Sequence, residues 1–324
     1  MLDRAAALVR DIEAIPGVLD FIAAADGLQN TIRDGIGGAS WLPRRVVLTG
    51  LGSSRFAALD VEADLRALGG EVIVEHASTD RPVEPSADCL LVAISSSGRT
   101  TEVVAAAERH RGASRVLAIT RDASSPLAGA ADSVAVLPIE AEASGVATTT
   151  YVATIAVLRY LLAAVAGVGS PASSLARAAA EARAVLASRD AWLPAALGIV
   201  REVESLTILG PWSARGVAEQ LALLFREAPR RSADVFETAE WLHTGIYIAL
   251  PGSVVLAIAG SPADAEVART IAGRSGQVIA VGSSADSLSS QAASVIPAAG
   301  GAARIVGPAL LAAELWRAMP GPLG

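Results

Sequence analysis

Apolar positions along the chain fall in short runs rich in β-branched residues, and Gly, Ser or Pro bounds each run. Runs of this kind predict buried strands. In the first half of the chain they predict strands at Val46–Gly50, Glu71–Glu75, Leu90–Ser95, Arg115–Thr120 and Ser133–Pro138. Stretches of helical length separate most of these strands. Because such short connections force parallel strands with helices on both faces, the pattern predicts a layered α/β fold.

The same pattern returns in the second half of the chain. Three segments have counterparts in the same order, namely 46–55 in 206–215, 90–102 in 254–266, and 115–138 in 277–300. The alternative explanation is that any two α/β halves look alike in an Ala- and Val-rich sequence. Three matches in one order favour a duplicated domain.

This duplication divides the chain into four predicted segments. We predict an N-terminal helical segment at 1–40, a first domain at 41–168, a helical connection at 169–204 and a second domain at 205–324. The connection is rich in Ala, Arg and Glu with helical periodicity. It therefore predicts helices that join two sheets rather than a disordered linker.

Composition narrows the functional classes. The net charge of −7 and the lack of a Lys- or Arg-rich run argue against nucleic-acid binding, which needs a basic surface. The single cysteine, Cys89, cannot form an internal disulfide and fits a reducing compartment. The N-terminus lacks the features of a signal peptide, and Arg159 interrupts the apolar stretch 151–168, which predicts a buried helix. We therefore expect a cytoplasmic protein without nucleic-acid or membrane partners.

A serine- and threonine-rich segment follows the third predicted strand and opens a predicted helix. At such a junction, free backbone N–H groups and the positive end of the helix dipole favour an anion. Hydroxyl donors and one permissive glycine make up the loop: Ser95, Ser96, Ser97, Gly98 and Thr100. Because open α/β sheets bind ligands at the carboxyl ends of their strands, we expect a phosphate here.

Two more strips of this kind lie in the first domain. One follows the first predicted strand and comprises Gly52, Ser53 and Ser54. The other precedes an apolar helix, at 144–150, and includes Val146, Ala147 and Thr148. Each strip alone is more typical of a helix N-cap than of a site. Three strips in one domain, at two strand ends and a helix start, favour a ligand-binding site over three separate caps.

The repeat limits the number of such sites. The equivalent loop of the second domain, 260–264, lacks the hydroxyl cluster and has gained Asp264. We therefore predict one phosphate site per chain, in the first domain.

These strips resemble the sugar-isomerase (SIS) domain family, and most closely the isomerase half of glucosamine-6-phosphate synthase and the fructosamine-6-phosphate deglycases. The family's phosphate loop, Ser-x-Ser-Gly-x-Thr, is matched by Ser95, Ser97, Gly98 and Thr100. Its Gly-x-Ser, Glu-x-Ala-Ser and Gly-Val-Ala-Ser/Thr-Thr strips are matched at 52–54, 75–78 and 145–149. The resemblance implies two tandem three-layer αβα SIS domains, each with a mainly parallel, flavodoxin-like sheet flanked by helices.

The second domain contains the residues on which the family's chemistry depends. A helix that ends at Pro229 resembles the family's glutamate helix and implies that Glu227 is the catalytic base. The segment AEWLHTG resembles the family's Gly-Glu-x-x-His-Gly and implies a catalytic role for His243. A carboxylate and an imidazole suffice to move a proton between C1 and C2 of an open sugar.

Both residues also have structural explanations. Glu227, at a helix end, could be a surface acid, and His243 could be a core histidine with satisfied hydrogen bonds. Of the other histidines, we expect His76 to be structural and His110 to lie on the surface.

The complete absence of lysine changes the expected chemistry. No lysine Schiff base can form, and no lysine can open the sugar ring as in the synthase. Leu224 stands at the family's helix lysine, and the N-terminus lacks the cysteine of a glutaminase domain. We therefore expect an isomerase or a deglycase/deaminase for a hexose or amino-sugar 6-phosphate, without glutamine, metal or cofactor. The alternative is a non-catalytic phosphosugar sensor or regulatory protein.

The resemblance also implies a homodimer with a shared active site, because the family's histidine loop comes from a neighbouring subunit. The Ala- and Leu-rich helices predicted at 151–168 and 305–318 offer apolar faces for the interface.

Overall fold

The chain folds into two compact units, which a computed structural model describes for residues 3–25, 27–38, 41–283, 287–298 and 300–319. The sheet-1 unit comprises Gly17–Ala141 and Thr149–Arg177. The sheet-2 unit comprises the chain up to Pro16, Glu142–Thr148 and the chain from Ala178 onward. The last predicted residues of the second domain, 320–324, lie outside the described residues.

The sheet-1 unit is built on five parallel strands in the order β2-β1-β3-β4-β5. The strands are β1 (Arg45–Gly50), β2 (Glu71–His76), β3 (Cys89–Ile94), β4 (Arg115–Thr120) and β5 (Ser133–Val136). The helices that begin in this unit are α2 (Leu28–Gly35), α3 (Ser53–Arg66), α4 (Thr101–His110), α5 (Pro126–Ala130), α6 (Thr149–Ala166) and α7 (Ala172–Ala187). All five predicted strands are present, with ends within two residues of the prediction.

The sheet-2 unit contains a second parallel sheet, in the order β10-β9-β8-β6-β7. Its strands are β6 (Ser205–Gly210), β7 (Ser232–Glu237), β8 (Val254–Ile258), β9 (Gln277–Gly282) and β10 (Ser294–Pro297). The helices that begin in it are α1 (Arg4–Ala23), α8 (Arg189–Val200), α9 (Arg215–Glu227), α10 (Thr238–Trp241), α11 (Asp264–Gly273) and α12 (Val306–Ala318). Beginning with β7, the order repeats that of the first sheet strand for strand. The predicted pair of parallel sheets flanked by helices is therefore confirmed.

One strand, β7, was not predicted from the sequence. Its sequence, SADVFE, lacks a run of β-branched residues and includes two acids. Within the described residues β7 pairs only with β6, so it forms an edge of the sheet. An edge strand exposes one side and tolerates charged side chains that a central strand would exclude.

The apolar helix α6 is a core helix. By length and composition it could cross a membrane, but 78% of it is buried inside the protein. The guanidinium of Arg159 forms ion pairs with Asp60 and Asp64 on α3, which explains how a charge is tolerated in this helix. The expectation of a buried helix is confirmed.

The two helices predicted to offer apolar faces to a second subunit do not do so. In α6, all but a few side chains are buried, and in α12 the buried positions run from Val306 through Leu315 and Trp316 with few interruptions. An apolar residue that is already buried within its own chain leaves no surface for a partner. The buried positions of α6 and α12 are therefore not available to a second subunit.

The structural units are drawn differently from the predicted domains at one functional strip, 142–148. Asp11 accepts hydrogen bonds from the backbone N–H groups of Ala143 and Ser144, at 3.2 and 2.9 Å. The amide of Gln220 in α9 donates to the carbonyl of Ala147 at 2.8 Å. These bonds place the strip in the sheet-2 unit, although it precedes a helix of the sheet-1 unit.

Candidate functional site

The first sheet changes direction between β1 and β3. These strands are parallel neighbours. From β1 the chain continues to β2 at one edge of the sheet, and from β3 it continues to β4 toward the other edge. A Cβ placed on Gly50, at the end of β1, would lie 3.2 Å from the carbonyl oxygen of Ile94, at the end of β3. Helices α3 and α4 therefore begin side by side at a topological switch point, where open α/β sheets bind ligands. This juxtaposition brings the predicted strips 52–54 and 95–100 to one edge.

The start of α4 has no side-chain cap, as far as the described residues show. Thr100 is the N-cap residue, but its hydroxyl lies 2.9 Å from the Oγ of Ser95 and makes no capping bond. Gly52 is the N-cap residue of α3 and has no side chain to offer. The expected alternative, that these strips are ordinary side-chain caps, is thus not what the geometry shows. Both helices keep N–H donors at their first turns for an anion.

Two serines complete the loop between β3 and α4. Ser96 is half-buried, and its Oγ accepts a hydrogen bond from Nε of Arg121 at 2.9 Å. Ser97 is exposed, and its Oγ accepts from the backbone N–H of Arg99 at 3.3 Å. Arg121 also donates its backbone N–H to the Ser96 carbonyl at 3.0 Å. Arg121 was not predicted as a site residue from the sequence, although its position directly after β4 was an available signal.

Gly98 is required by packing as well as by backbone conformation. Its φ is +65°, and an added Cβ would lie 2.0 Å from Oγ and 2.4 Å from Cβ of Ser125. Ser125 in turn caps α5 by accepting from the N–H of Ala128 at 3.3 Å. The glycine therefore lets the loop pass close to the start of α5.

The rim of this loop carries an exposed ion pair. Nη2 of Arg99 lies 3.0 Å from a carboxylate oxygen of Asp122. Hydrogen bonds from Ser124 lower the pKa of Asp122, and Arg99 acts in the same direction. An exposed pair of this kind adds little stability, so Arg99 can leave Asp122 at small cost.

Glu227 is the last residue of α9 in the sheet-2 unit. Its side chain is half-buried, and burial raises the pKa of its carboxyl. The positive charges of Arg230 and Arg4 oppose that shift without cancelling it. A carboxyl with a raised pKa is a stronger base than an ordinary glutamate, which suits a proton-transfer role. The alternative of an ordinary surface acid does not account for this environment.

The strip 144–148 lies beside the same helix. Besides the bonds from Asp11 and Gln220, the carbonyl of Ser144 accepts from Nε and Nη2 of Arg4 at 3.0 and 2.9 Å. Val146 and Thr148 are buried, and the N–H of Thr148 donates to the carboxylate of Glu142 at 3.1 Å. The strip therefore accompanies Glu227, whereas Ser95–Thr100 and Gly52–Ser54 accompany one another in the other unit. The sequence analysis assigned all three strips to one domain.

His243 lies in the turn after α10. Its N–H donates to the carbonyl of Glu240 at 2.9 Å, and Glu237 caps the start of α10. The imidazole is exposed and makes no hydrogen bond with any described residue, so His243 is not a satisfied core histidine. In the part of the chain that the structure describes, Glu227 and His243 form no hydrogen bond or ion pair with each other.

The expectation that His110 lies on the surface was wrong, whereas a structural role for His76 stays a prediction. His110 is 1% exposed, with Nδ1 3.0 Å from Oγ of Ser114 and Nε2 3.2 Å from the carbonyl of Val83, and burial lowers its pKa. It joins the end of α4 to the loop before β3, which makes it structural. His76 is exposed at the end of β2.

In the sheet-2 unit, the equivalent loop, 260–264, has its backbone donors bonded to an acidic side chain. Asp264, at the start of α11, is 3% exposed. Its Oδ2 accepts from the backbone N–H groups of Gly260 and Ser261, at 2.8 and 3.1 Å. The Asp264 carboxylate thus binds the backbone N–H groups of this loop. In the corresponding loop of the first sheet, 95–100, no acidic side chain of the loop takes that place.

An open parallel α/β sheet with uncapped helix starts at its switch point is typical of proteins that bind phosphorylated ligands. Residues 42–164 match the model of the SIS domain family. That range contains all of the first sheet, so the predicted resemblance is confirmed for this part of the chain. No curated protein matches the sequence.

Solved structures share the fold over both sheets. Glucosamine-6-phosphate deaminase from Thermotoga maritima is 18% identical, with 96% of this chain and 94% of that chain covered and a TM-score of 0.76. Tagatose-6-phosphate ketose/aldose isomerase from Escherichia coli is 16% identical, with 97% and 94% covered and a TM-score of 0.79. The C-terminal domain of glucosamine-fructose-6-phosphate aminotransferase from Francisella tularensis is 14% identical, with 95% and 94% covered and a TM-score of 0.76. At these identities the likeness establishes the fold alone.

Proposed function

We propose that this protein is a phosphosugar-processing enzyme, either an aldose–ketose isomerase or a deglycase/deaminase, that acts on a hexose or amino-sugar 6-phosphate. The observation on which the proposal rests is the uncapped start of α4, surrounded by hydroxyls at the switch point of an SIS domain. The named activities of the structural neighbours, deamination of glucosamine 6-phosphate and isomerisation of tagatose 6-phosphate, support the substrate class.

The phosphate binds at the edge formed by β1 and β3. The hydroxyls of Ser54 and Ser97, whichever hydroxyl of the bonded pair Ser95 and Thr100 keeps its proton free, and the N–H groups at the starts of α3 and α4 supply neutral donors. Gly52, Ser53, Ser96 and Gly98 shape the backbone that presents them. Donors of this kind bind a phosphate dianion without a lysine, which the chain does not contain.

Glu227 is the proton-transfer group. In its ionised form it takes the proton from C2 of an open aldose, or from C1 of a ketose, which leaves an enediolate. The protonated carboxyl then returns the proton to the neighbouring carbon, and its raised pKa favours that return. In a deglycase, the corresponding enaminol is hydrolysed by water, which releases the amine. No covalent bond to the protein is formed at any step.

His243 opens the cyclic sugar or moves the hydroxyl proton, and we propose that it acts in the site of a second copy of the chain. Its exposure and its lack of hydrogen bonds with the described residues support this assignment. Three exposed apolar side chains follow it closely in the chain: Tyr247 at 76%, Ile248 at 51% and Leu250 at 65% exposure. They are suited to an interface between copies, because such patches usually bind a partner. Val146, Ala147 and Thr148, beside α9, contact the sugar.

A non-catalytic phosphosugar sensor is the second candidate. It is favoured because, among the described residues, Glu227 and His243 share no hydrogen bond or ion pair. Deuterium exchange at C1 or C2 of candidate phosphosugars in heavy water, followed by NMR, separates the two. Either enzyme requires exchange, and a sensor does not. Release of free amine from a fructosamine phosphate then distinguishes a deglycase from an isomerase. A cytoplasmic location and the absence of nucleic-acid and membrane partners remain predictions from the sequence.

A further inference from the structure

Arg4, in the first turn of α1, is held in one position from three sides. Its Nε and Nη2 converge on the carbonyl oxygen of Ser144, at 3.0 and 2.9 Å. A Cβ added to Gly145 would lie 3.2 Å from Nη2, so the guanidinium lies directly against this turn. Its Cζ is 5.7 Å from the ring centroid of Trp316 on α12, within the range of a cation–π contact.

The far end of the same strip is fixed to α9. Gln220 is fully buried and donates to the carbonyl of Ala147 at 2.8 Å. Gln220 and Glu227 are seven positions apart, so they lie on the same face of the helix. The strip therefore lies between Arg4 and the helix face that presents the candidate base.

We propose that Arg4 is a positioning residue for Glu227: it holds the 144–148 strip against α9, the helix that ends in Glu227, and its positive charge acts on the Glu227 carboxylate. This inference rests on the proposed function, in which Glu227 is the base. Arginine suits the role because its guanidinium keeps its proton throughout the accessible pH range and binds with a rigid fork. The chain has no lysine that could supply the charge instead.

The charges around Glu227 determine the sign of the expected effect. Burial raises its pKa, and the two cations that act on it are Arg230, in the turn after α9, and Arg4, from α1. Two acids contact the strip: Asp11 on α1 accepts from the N–H groups of Ala143 and Ser144, and Glu142 accepts from the N–H of Thr148. Removing the charge of Arg4 therefore leaves burial less opposed, and the pKa of Glu227 rises.

A direct titration tests the inference without requiring turnover. Protein labelled with ¹³C at the glutamate carboxyls is titrated by NMR, and the Glu227 signal is assigned from its loss in Glu227→Gln. Because Arg4 is exposed and water screens its charge, Arg4→Gln should raise this pKa by a small but measurable amount. Arg4→Lys, which keeps the charge, should restore most of the original value. Arg10→Gln, an exposed arginine of the same helix, is the control and should change nothing.

Kinetics test the positioning role. In Arg4→Gln we expect kcat at neutral pH to fall roughly five- to twentyfold with KM little changed, and the acid limb of kcat/KM to move upward with the measured pKa. Arg4→Lys should recover the acid limb but only part of kcat, because an ammonium lacks the fork that grips Ser144. If Arg4→Gln is too unstable to study, Arg4→Lys alone tests the positioning role: its acid limb should match that of the wild type while its kcat stays lower.

The outcomes separate this inference from the proposed function. An unchanged Glu227 pKa in Arg4→Gln overturns the inference, whether or not the wild-type protein is active. A raised pKa in a protein that exchanges no sugar proton defeats the proposed function and leaves the charge coupling in place. Equal losses in Arg4→Gln and Arg4→Lys, with no shift of the acid limb, would mean that Arg4 only stabilises the fold.

Discussion

The hydroxyl oxygens of Ser95 and Thr100 lie 2.9 Å apart, across the turn that joins β3 to α4. This bond engages the Thr100 hydroxyl, which would otherwise be placed to cap the helix. The first turn of α4 thus keeps its N–H groups for a ligand. At the same edge, α3 also lacks a side-chain cap, because its N-cap residue is a glycine. An isolated hydroxyl cluster would be an unremarkable surface feature; its position at the switch point makes it a candidate phosphate site.

Ser97→Ala should weaken sugar-phosphate binding, because it removes one donor to a charged oxygen. A hydrogen bond to a charged group contributes roughly 1.5–3 kcal/mol, so Kd should rise about ten- to a hundredfold. Calorimetry with fructose 6-phosphate, glucose 6-phosphate and glucosamine 6-phosphate measures the change. Ser173→Ala, an exposed serine of α7, is the control. Equal affinity of wild type and Ser97→Ala would argue against this loop as the phosphate site.

Gly98→Ala should destabilise the protein through packing. The new methyl group would meet Ser125 at 2.0–2.4 Å, at a φ of +65°. We expect the free energy of unfolding to fall by about 2–4 kcal/mol, measured by urea denaturation. Gly129→Ala, which meets no atom within 4 Å, should stay within about 1 kcal/mol of wild type. Adding Ser125→Gly to Gly98→Ala should recover part of the loss; no recovery would mean that the clash is not the cause.

The first sheet was predictable because its strands are buried apolar runs. In β3, every side chain is buried, so the sequence alone marks the strand and the loop after it. The edge strand β7 was missed because Asp234 and Glu237 interrupt its apolar pattern. His110 was misjudged for a related reason: the acids and arginines around it suggest a surface helix, whereas its partner Val83 lies on a loop that no local pattern connects to α4.

The placement of the 144–148 strip could not be predicted from local sequence. Its position depends on Arg4 and Asp11, which lie 140 and 133 residues before Ser144 in the chain. The strip's likeness to a helix-start motif is real, since α6 begins at Thr149. Only the tertiary hydrogen bonds show that the backbone before α6 belongs with the helix that presents Glu227.

Glu227→Gln should nearly abolish turnover while leaving the phosphate contacts in place. Loss of a general base typically lowers the rate by about 10²–10⁴. Steady-state kinetics give kcat, and calorimetry gives the Kd for the substrate phosphate. Glu219→Gln, on the same helix and with an acid of the same length, should keep wild-type kcat. If Glu227→Gln turns over normally, another group must take the carbon-bound proton.

The same substitution should have a pH-dependent effect on stability. Burial raises the pKa of Glu227 in the folded protein above its value in the unfolded chain, so the folded state binds the proton more tightly. Folding is then favoured most at pH values below the unfolded pKa and loses that contribution as pH rises through the folded pKa. Glu227→Gln should therefore be more stable than wild type at pH 7–8, and the difference should vanish in acid. Denaturation across this pH range provides the check; a constant difference would contradict the shift.

Asp264 should limit the chain to one phosphate site. Its carboxylate accepts two backbone N–H bonds at the start of α11, in the loop that corresponds to 95–100 in the first sheet. Calorimetric titration should therefore give one sugar phosphate bound per chain, and a stoichiometry of two would contradict the assignment. Asp264→Ala should lower the free energy of unfolding by roughly 2–4 kcal/mol, because two backbone donors lose a charged acceptor. Millimolar inorganic phosphate should recover part of that stability in Asp264→Ala by occupying the vacated donors, with no such specific gain in Asp234→Ala, an exposed acid of the same unit.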